Sequence, residues 1–296
     1  MASVTRRDAV LITGCSSGIG RAAAISLHDA GFRVYATARK AQTLSGLADL
    51  GLRTLALDVT DEASMTQAVA ATEADAGAGA IGVLINNAGY GLYGPVEQQP
   101  MAEIRRQFET NVFGLIRLTQ LVLPDMRQRR RGRILNVSSM GGRATLPGGA
   151  FYHASKYAVE AISDALRMEV AQFGIDVVLI EPGPVDTPWN QVASGSLSTA
   201  VPGAGSAAPG DGPDGGSASD PGDPYAAYKA AVAASFVTAQ RGPLARLSSS
   251  ADDIAAVITR AVTARRPLRP GPGGSRPSQL RRRQPRRPRP GRAGPR

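Results

Sequence analysis

One cysteine, Cys15, is the only thiol in 296 residues, so no disulfide can form within the chain. Long apolar runs are also absent: segments such as Val177 to Ile180 fall far short of the roughly 20 residues that a membrane-spanning helix needs. Arg6 and Arg7 lead into a short apolar stretch without a signal-cleavage pattern, which argues against export. A soluble, cytoplasmic protein with no membrane span is expected. Acidic side chains are missing from the last 32 residues, which hold 12 of the chain's 34 basic residues, all of them arginine. The formal charge of +10 therefore belongs to the end of the chain, because residues 1 to 264 carry 22 bases against 24 acids, a net −2. A balance that would ordinarily suggest nucleic acid or an anionic surface as partner is a property of the tail alone.

The 43% of hydrophobic residues suffice for one large α/β domain. Short β-branched runs recur at Ala9 to Thr13, Arg33 to Ala38, Arg53 to Leu57, Ile81 to Ile85, Arg133 to Val137 and Asp176 to Ile180. Between them lie the helical patterns Ile19 to Ala30, Ser64 to Thr72, Ala102 to Met126 and Tyr152 to Phe173. Each is long enough to cross between parallel strands, so a doubly wound α/β fold with six buried strands is expected. Ligands of such sheets gather at the carboxyl ends of the strands. From Ser194 to Pro224 the composition turns to Gly, Ser, Pro, Ala and Asp, which reads as a mobile surface loop. Tyr225 to Ala239 and Ala251 to Ala264 are helical again, the latter opened by Ser248, Ser249 and Ser250. The expected organisation is a catalytic unit over 1–193, a flexible substrate loop over 194–224, C-terminal helices of the same domain over 225–266, and a disordered Arg/Pro/Gly-rich tail over 267–296.

Directly after the first strand stands Thr13-Gly14-Cys15-Ser16-Ser17-Gly18-Ile19-Gly20, which runs into a helical segment. Glycines there permit a tight turn and close approach to a pyrophosphate, whose charge suits the free N–H groups of a helix start. An ordinary glycine-rich turn would look much the same, so position gives the motif its weight. Arg39 follows the second strand, where an acid would bind the ribose hydroxyl of NAD; a guanidinium suits a 2′-phosphate, favouring NADP(H), with NAD(H) as the alternative. Arg39 and Lys40 facing only solvent is the competing reading.

Tyr152 and Lys156 lie four apart at the opening of a helical segment and so share a face. A phenol with an ordinary pKa of about 10 is a poor base near neutrality, and an adjacent ammonium is expected to bring it down. Ser138 and Ser139 end the fifth strand, and either hydroxyl could polarise a carbonyl. Taken alone, a Tyr/Lys pair is usually a surface or packing pair. His153, turned about 100° from Tyr152 on a helix, is read as structural or exposed, and His28 is assigned no chemistry.

Together these features resemble the short-chain dehydrogenase/reductase family, through Thr13 to Gly20, Asn86-Asn87-Ala88-Gly89, Asn111, Ser139, Tyr152, Lys156 and Pro182-Gly183 with Thr187. The resemblance is continuous over residues 8 to about 190 and less distinct over 225 to 266. It implies a Rossmann-type fold and a metal-free hydride transfer. Tyr152 would be the general acid/base, Lys156 the residue that binds the nicotinamide ribose and lowers the phenol's pKa, Ser139 the group that orients the substrate oxygen, and Asn111 the support of a proton relay. Ser139 is preferred over Ser138 because it lies 13 positions before Tyr152, as the family's serine commonly does. The cofactor set it implies is Gly14, Ser16, Ser17, Gly18, Ile19 and Gly20 at the phosphates, Asp58 at the adenine end, Asn87 in the adenosine ribose region and Ala88 and Gly89 beside it in sequence, together with Arg39, Tyr152 and Lys156. Pro182, Gly183, Val185 and Thr187 would lie on the nicotinamide side. Asn86 would stabilise the sheet.

The stretches Val34 to Arg39 and Asn87 to Pro95 are similar to the hydroxysteroid and retinol dehydrogenase branch, which implies a bulky apolar substrate. Leu146, Phe151 and Trp189 could line its pocket or simply pack. Family members commonly form homodimers or homotetramers. Past Arg266 the resemblance fails, and the lysine-free Arg/Pro/Gly composition fits an altered reading frame in a GC-rich coding sequence. The competing function class is an NADP(H)-sensing binding protein whose basic tail holds nucleic acid or another polyanion.

Overall fold

A computed structural model of the chain describes residues 4–76, 80–199, 223–241 and 248–264. Its strands are β1 (Ala9–Ile12), β2 (Arg33–Ala38), β3 (Arg53–Ala56), β4 (Ile81–Asn86), β5 (Gly132–Val137), β6 (Ile175–Ile180), β7 (Val185–Asp186) and β8 (Ser249–Ser250). Its helices are α1 (Gly18–Asp29), α2 (Ser45–Ala48), α3 (Glu62–Ala76), α4 (Met101–Phe108), α5 (Gly114–Arg129), α6 (Ala150–Val170), α7 (Trp189–Thr199), α8 (Ala226–Arg241) and α9 (Ala251–Thr263).

All six expected strands form one parallel sheet in the order β3-β2-β1-β4-β5-β6. Every residue of β1, β4 and β5 is buried, as strands covered by helices on both faces require, whereas β3 at the sheet edge is exposed at both ends and so is not the buried strand expected. Alternation along the strands divides the core. Val10, Ile12, Val34, Ala36 and Leu135 pack on one face with Ala23 and Leu27 of α1 and Ile254 and Ile258 of α9. Ala9, Leu11, Leu84 and Ile134 pack on the other with Met65 of α3 and Leu118, Val122 and Met126 of α5. The chain reverses its winding at β1, so β1 and β4 are neighbours and their carboxyl ends frame the crevice where ligands of such sheets bind.

Two boundaries differ from the sequence reading. The pattern Ala102 to Met126 is not one helix: a π-helical turn at Glu109–Phe113 separates α4 from α5. Helix α7 runs to Thr199, so the first six residues assigned to the substrate loop are helical; Trp189, Ala193 and Leu197 give that helix a buried side against Tyr93 and Val232, which composition did not reveal. The rest of that loop to residue 222, and the tail read as disordered, lie outside the described residues. The serine run before α9 caps it, with Ser250 Oγ accepting from Asp253 N at 3.1 Å and Asp253 Oδ2 accepting from Ser250 N at 2.9 Å.

Candidate active site

The glycine loop leaves β1 and enters α1 through Gly14 and Gly18, whose φ values of +73° and +55° favour glycine. A methyl group at Gly20 would overlap the Gly14 carbonyl oxygen and the Asn87 amide, so only glycine lets the helix start sit this close to the loop. The Asn87 side chain donates to the carbonyls of Thr13 and Gly14 at 2.9 and 3.1 Å, while Thr13 Oγ1 accepts the N–H groups of Asn87 and Ala88, both at 3.0 Å. Asn87 is thus first a brace of the loop. Among the described residues no side chain caps the start of α1, its first turn holds no acid, and Ser16 and Ser17 are exposed beside it. This uncapped, glycine-lined start fits a pyrophosphate.

Arg39 is exposed just past β2, close enough to Tyr90 to act on its charge. Burial pushes the Tyr90 phenol up to about 12. Asp58 follows β3, and its Oδ1 accepts both the N–H and the hydroxyl of Thr60, at 2.9 and 2.8 Å. Thr187 lies against Gly18, so the segment after β6 closes on the glycine loop. Pro182 accepts the Met140 N–H at 2.8 Å, and Val185 pairs with Ser249, which ties the predicted nicotinamide side to the Ser139 turn and to α9.

Ser139 stands at the end of β5, where its Oγ accepts the Gly141 N–H at 3.0 Å. Its hydroxyl also meets the Tyr152 phenol. Ser138 is buried and faces Glu160 instead, which leaves Ser139 as the serine beside Tyr152. One turn into α6, Lys156 donates from Nζ to the Val137 carbonyl at 2.8 Å and lies 6.0 Å from the Tyr152 ring centroid. Asn111 sits in the π-helical turn; Nδ2 donates to Tyr90 O at 2.9 Å and to Ser155 Oγ at 3.0 Å, and Oδ1 accepts the Tyr90 N–H at 3.1 Å. A Cβ on Gly89 would lie 3.0 Å from Asn111 Oδ1 and 3.7 Å from Lys156 Nζ. Three separate elements therefore deliver Ser139, Tyr152 with Lys156, and Asn111 to one place.

The electrostatics correct one expectation. Burial, not Lys156, dominates Tyr152: desolvation pushes the phenol up, and the opposing influence is the Ser139 hydroxyl. Lys156 is itself buried and pulled down to about 8, with Glu160 acting the other way. Glu160 went unnoticed in the sequence, although it stands four residues after Lys156. It is 4% exposed, its Oε2 lies 2.6 Å from Arg143 Nη2, and burial raises its carboxyl to about 7. Asn86 holds the sheet as expected, donating to Thr119 Oγ1 at 3.1 Å and to Asn136 Oδ1 at 2.9 Å. Around Tyr152 an apolar wall gathers: the rings of Trp189 and Tyr93 lie 5.1 and 5.8 Å away, and Phe236 meets Tyr93 edge-on at 4.9 Å. Leu146 is 55% exposed. Among the described residues no group of His, Cys, Asp and Glu could hold a metal ion, and no helix is long and apolar enough to cross a membrane.

The model of the short chain dehydrogenase family matches residues 8–196. The chain belongs to this family. It is an oxidoreductase family working with NAD(H) or NADP(H). A 3-ketodihydrosphingosine reductase of Bacteroides thetaiotaomicron is 44% identical over 178 residues, 60% of this chain and 64% of that protein, so the chain spans just under two thirds of that relative's length. Estradiol 17-beta-dehydrogenase 1 of Rattus norvegicus is 39% identical over 204 residues, 65% of this chain and 58% of that one. A solved short-chain dehydrogenase from Streptomyces avermitilis aligns with a TM-score of 0.69 at 32% identity, covering 88% of this chain and 85% of its own. The resemblance to hydroxysteroid-type members is borne out by the rat enzyme.

Proposed function

We propose that this short-chain dehydrogenase reduces or oxidises an apolar carbonyl or alcohol with NADP(H). The observation that carries the reading is the convergence of Ser139, Tyr152, Lys156 and Asn111 beside an uncapped glycine loop at the carboxyl ends of β1, β4 and β5. Residues 14 to 20 would cradle the pyrophosphate, and Arg39 would meet a 2′-phosphate. Asp58 with Asn87, Ala88 and Gly89 would border the adenosine. Lys156 would hold the nicotinamide ribose, flanked by Pro182, Gly183, Val185 and Thr187. Bound there, the cofactor supplies or accepts the hydride.

The chain's own residues handle the oxygen and its proton. Ser139 Oγ already accepts the Gly141 N–H, so its one hydroxyl proton is what it gives, to the Tyr152 phenol or, with substrate bound, to the substrate oxygen. Tyr152 carries the transferable proton at its phenolic oxygen, and burial keeps that proton on near neutrality. Asn111, fastened to Tyr90 and Ser155, holds the floor beneath Lys156 and could pass on the proton that Tyr152 releases. The wall of Tyr93, Trp189 and Phe236 supports an apolar substrate, as do the names of relatives that refer to a ketodihydrosphingosine and to estradiol. Exposed Phe113 at the end of the π-helical turn and exposed Tyr157 and Met168 on α6 support a homodimer or homotetramer through these faces.

The test is reduced-nicotinamide absorbance over a panel of apolar ketones and aldehydes, for the natural chain and Tyr152→Phe. Turnover should fall by at least about 1,000-fold in the variant, since it loses the acid–base group, while NADPH affinity stays. Equal turnover of the two would overturn the assignment.

A further inference from the structure

Between Ser139 and Tyr152 the chain passes from the end of β5 to the start of α6 through Gly141, Gly142, Gly148 and Gly149, and so carries little stiffness of its own. His153 underlies this segment and is 2% exposed. Its Nε2 lies 3.1 Å from the Leu146 N–H nitrogen and its Nδ1 3.0 Å from the Gly141 carbonyl oxygen. A main-chain N–H can only donate and a carbonyl can only accept. Nε2 is therefore the acceptor, Nδ1 carries the proton, and the ring is neutral in a single tautomer. Gly141, held at its carbonyl by the ring, gives its own N–H to Ser139 Oγ. The fit is close: a Cβ on Gly141 would lie 2.7 Å from Nδ1, and one on Gly149 2.6 Å from Nε2.

The titratable groups facing the ring are the phenols of Tyr152 on its own helix and Tyr93 from the loop after β4, at ring-centroid distances of 5.5 and 6.3 Å. The glycine segment meets the two ring nitrogens through the backbone of Gly141 and Leu146. Burial holds the ring below its ordinary value, against the pull of the Gly141 carbonyl.

We propose that His153 is a positioning residue: two opposed hydrogen bonds from its neutral ring clamp Gly141 and Leu146, and so fix the Ser139 hydroxyl and the Leu146 wall relative to Tyr152. The inference rests on the reading of Ser139 and Tyr152 given under the proposed function. Protonation would set an N–H of the ring against the Leu146 N–H, two donors facing each other, and the clamp would open. Catalytic geometry should therefore loosen as the pH falls through the range in which the ring titrates.

The experiment uses the full chain, with His28 as the only other histidine in an NMR titration of the imidazoles. It adds amide exchange of residues 141–146 and the pH dependence of kcat and KM with NADPH, for the natural protein and His153→Gln. His153 should titrate below about 6.5, and Leu146 exchange should quicken about 10-fold with it, as expected for one lost hydrogen bond. In the variant, exchange should be fast at every pH, kcat should drop about 10-fold at the same NADPH KM, and the acid limb that tracks the ring should vanish. A ring that titrates at or above the ordinary value, exchange indifferent to its titration, or an unchanged acid limb in the variant would overturn the clamp. Should the variant not fold, the natural protein's titration and exchange decide alone. Absent turnover would sink the enzymatic reading while those two measurements still judged the clamp.

Discussion

Replacing Arg133 with methionine keeps a long side chain in β5 and removes its charge and donors. The guanidinium is 1% exposed, with Nη1 at 2.6, 2.7 and 2.9 Å from the carbonyl oxygens of Ala261, Val262 and Ala264, and Nη2 at 2.8 Å from Asp176 Oδ2. The last carbonyls of a helix lack intrahelical partners and carry partial negative charge, so the cation both closes α9 and pins it to the sheet. Hydrogen bonds to a charged group contribute about 1.5–3 kcal/mol each, but Nη1 has two hydrogens to share among three carbonyls. Asp176, 27% exposed, regains water when its partner goes, and the buried Nε, which has no partner among the described residues, ceases to be a cost. The net loss expected is about 3 kcal/mol, a large part of the roughly 5–15 kcal/mol that holds a domain together. Because α9 packs beside α1, and α1 starts at the glycine loop, the loss should also loosen the cofactor cradle. Urea unfolding should show a lower midpoint at unchanged m-value, with Asp176→Asn alone costing about 1 kcal/mol or less. An Arg133→Met protein within about 0.5 kcal/mol of the natural one would refute the claim that these carbonyls need the cation.

Two further outcomes follow from the site. Arg39→Ala should weaken NADPH binding about 10- to 100-fold and leave NADH nearly unchanged, the size of one charge-assisted contact; equal effects in a fluorescence titration on Trp189 would return Arg39 to a solvent-facing role. Glu160→Gln should flatten the pH dependence of stability: a buried carboxyl raised from near 4.5 to about 7 stabilises the fold fully at low pH, and that contribution fades as pH rises through about 7. Unfolding free energies should fall from about pH 5 to pH 8 by up to about 3 kcal/mol more in the natural chain than in the variant, and parallel slopes would disprove it.

Strands β1 and β4 were legible because parallel strands buried on both faces leave apolar runs, whereas β5 carries the buried Arg133 and Asn136 and the edge strand β3 is partly exposed, so the six were read from their alternation with helical segments. The π-helical turn at Glu109–Phe113 was not legible, since Asn111 is fixed by the Tyr90 backbone and the Ser155 hydroxyl, contacts across 21 and 44 residues that no local period records. Arg133 was equally hidden. In the sequence it opens an ordinary strand, and only the fold brings the end of α9 to its guanidinium. Helix α7 beyond Ser194 was missed because Ser, Gly and Ala give little helical signal of their own, while Leu197 gains its burial from Tyr93 and Val232, outside the helix.

At the site, the sequence named the groups but misjudged the balance among them. A lysine four residues after a tyrosine invites the view that its charge governs the phenol, yet that view assumes solvent around both. Tyr152 is 7% and Lys156 6% exposed, so desolvation favours the uncharged form of each: the phenol rises, the ammonium falls to about 8, and the two values draw apart. In such an environment Lys156 keeps its charge near neutrality partly through Glu160, and Glu160 is ionised partly through Arg143, whose guanidinium also meets Glu181 at 3.1 Å. The proton inventory of the site is therefore set by a chain that reaches from the catalytic helix to the end of β6. A change at Arg143 should accordingly act on Lys156 by leaving Glu160 more readily protonated, which is a link that the Tyr/Lys spacing alone could never express.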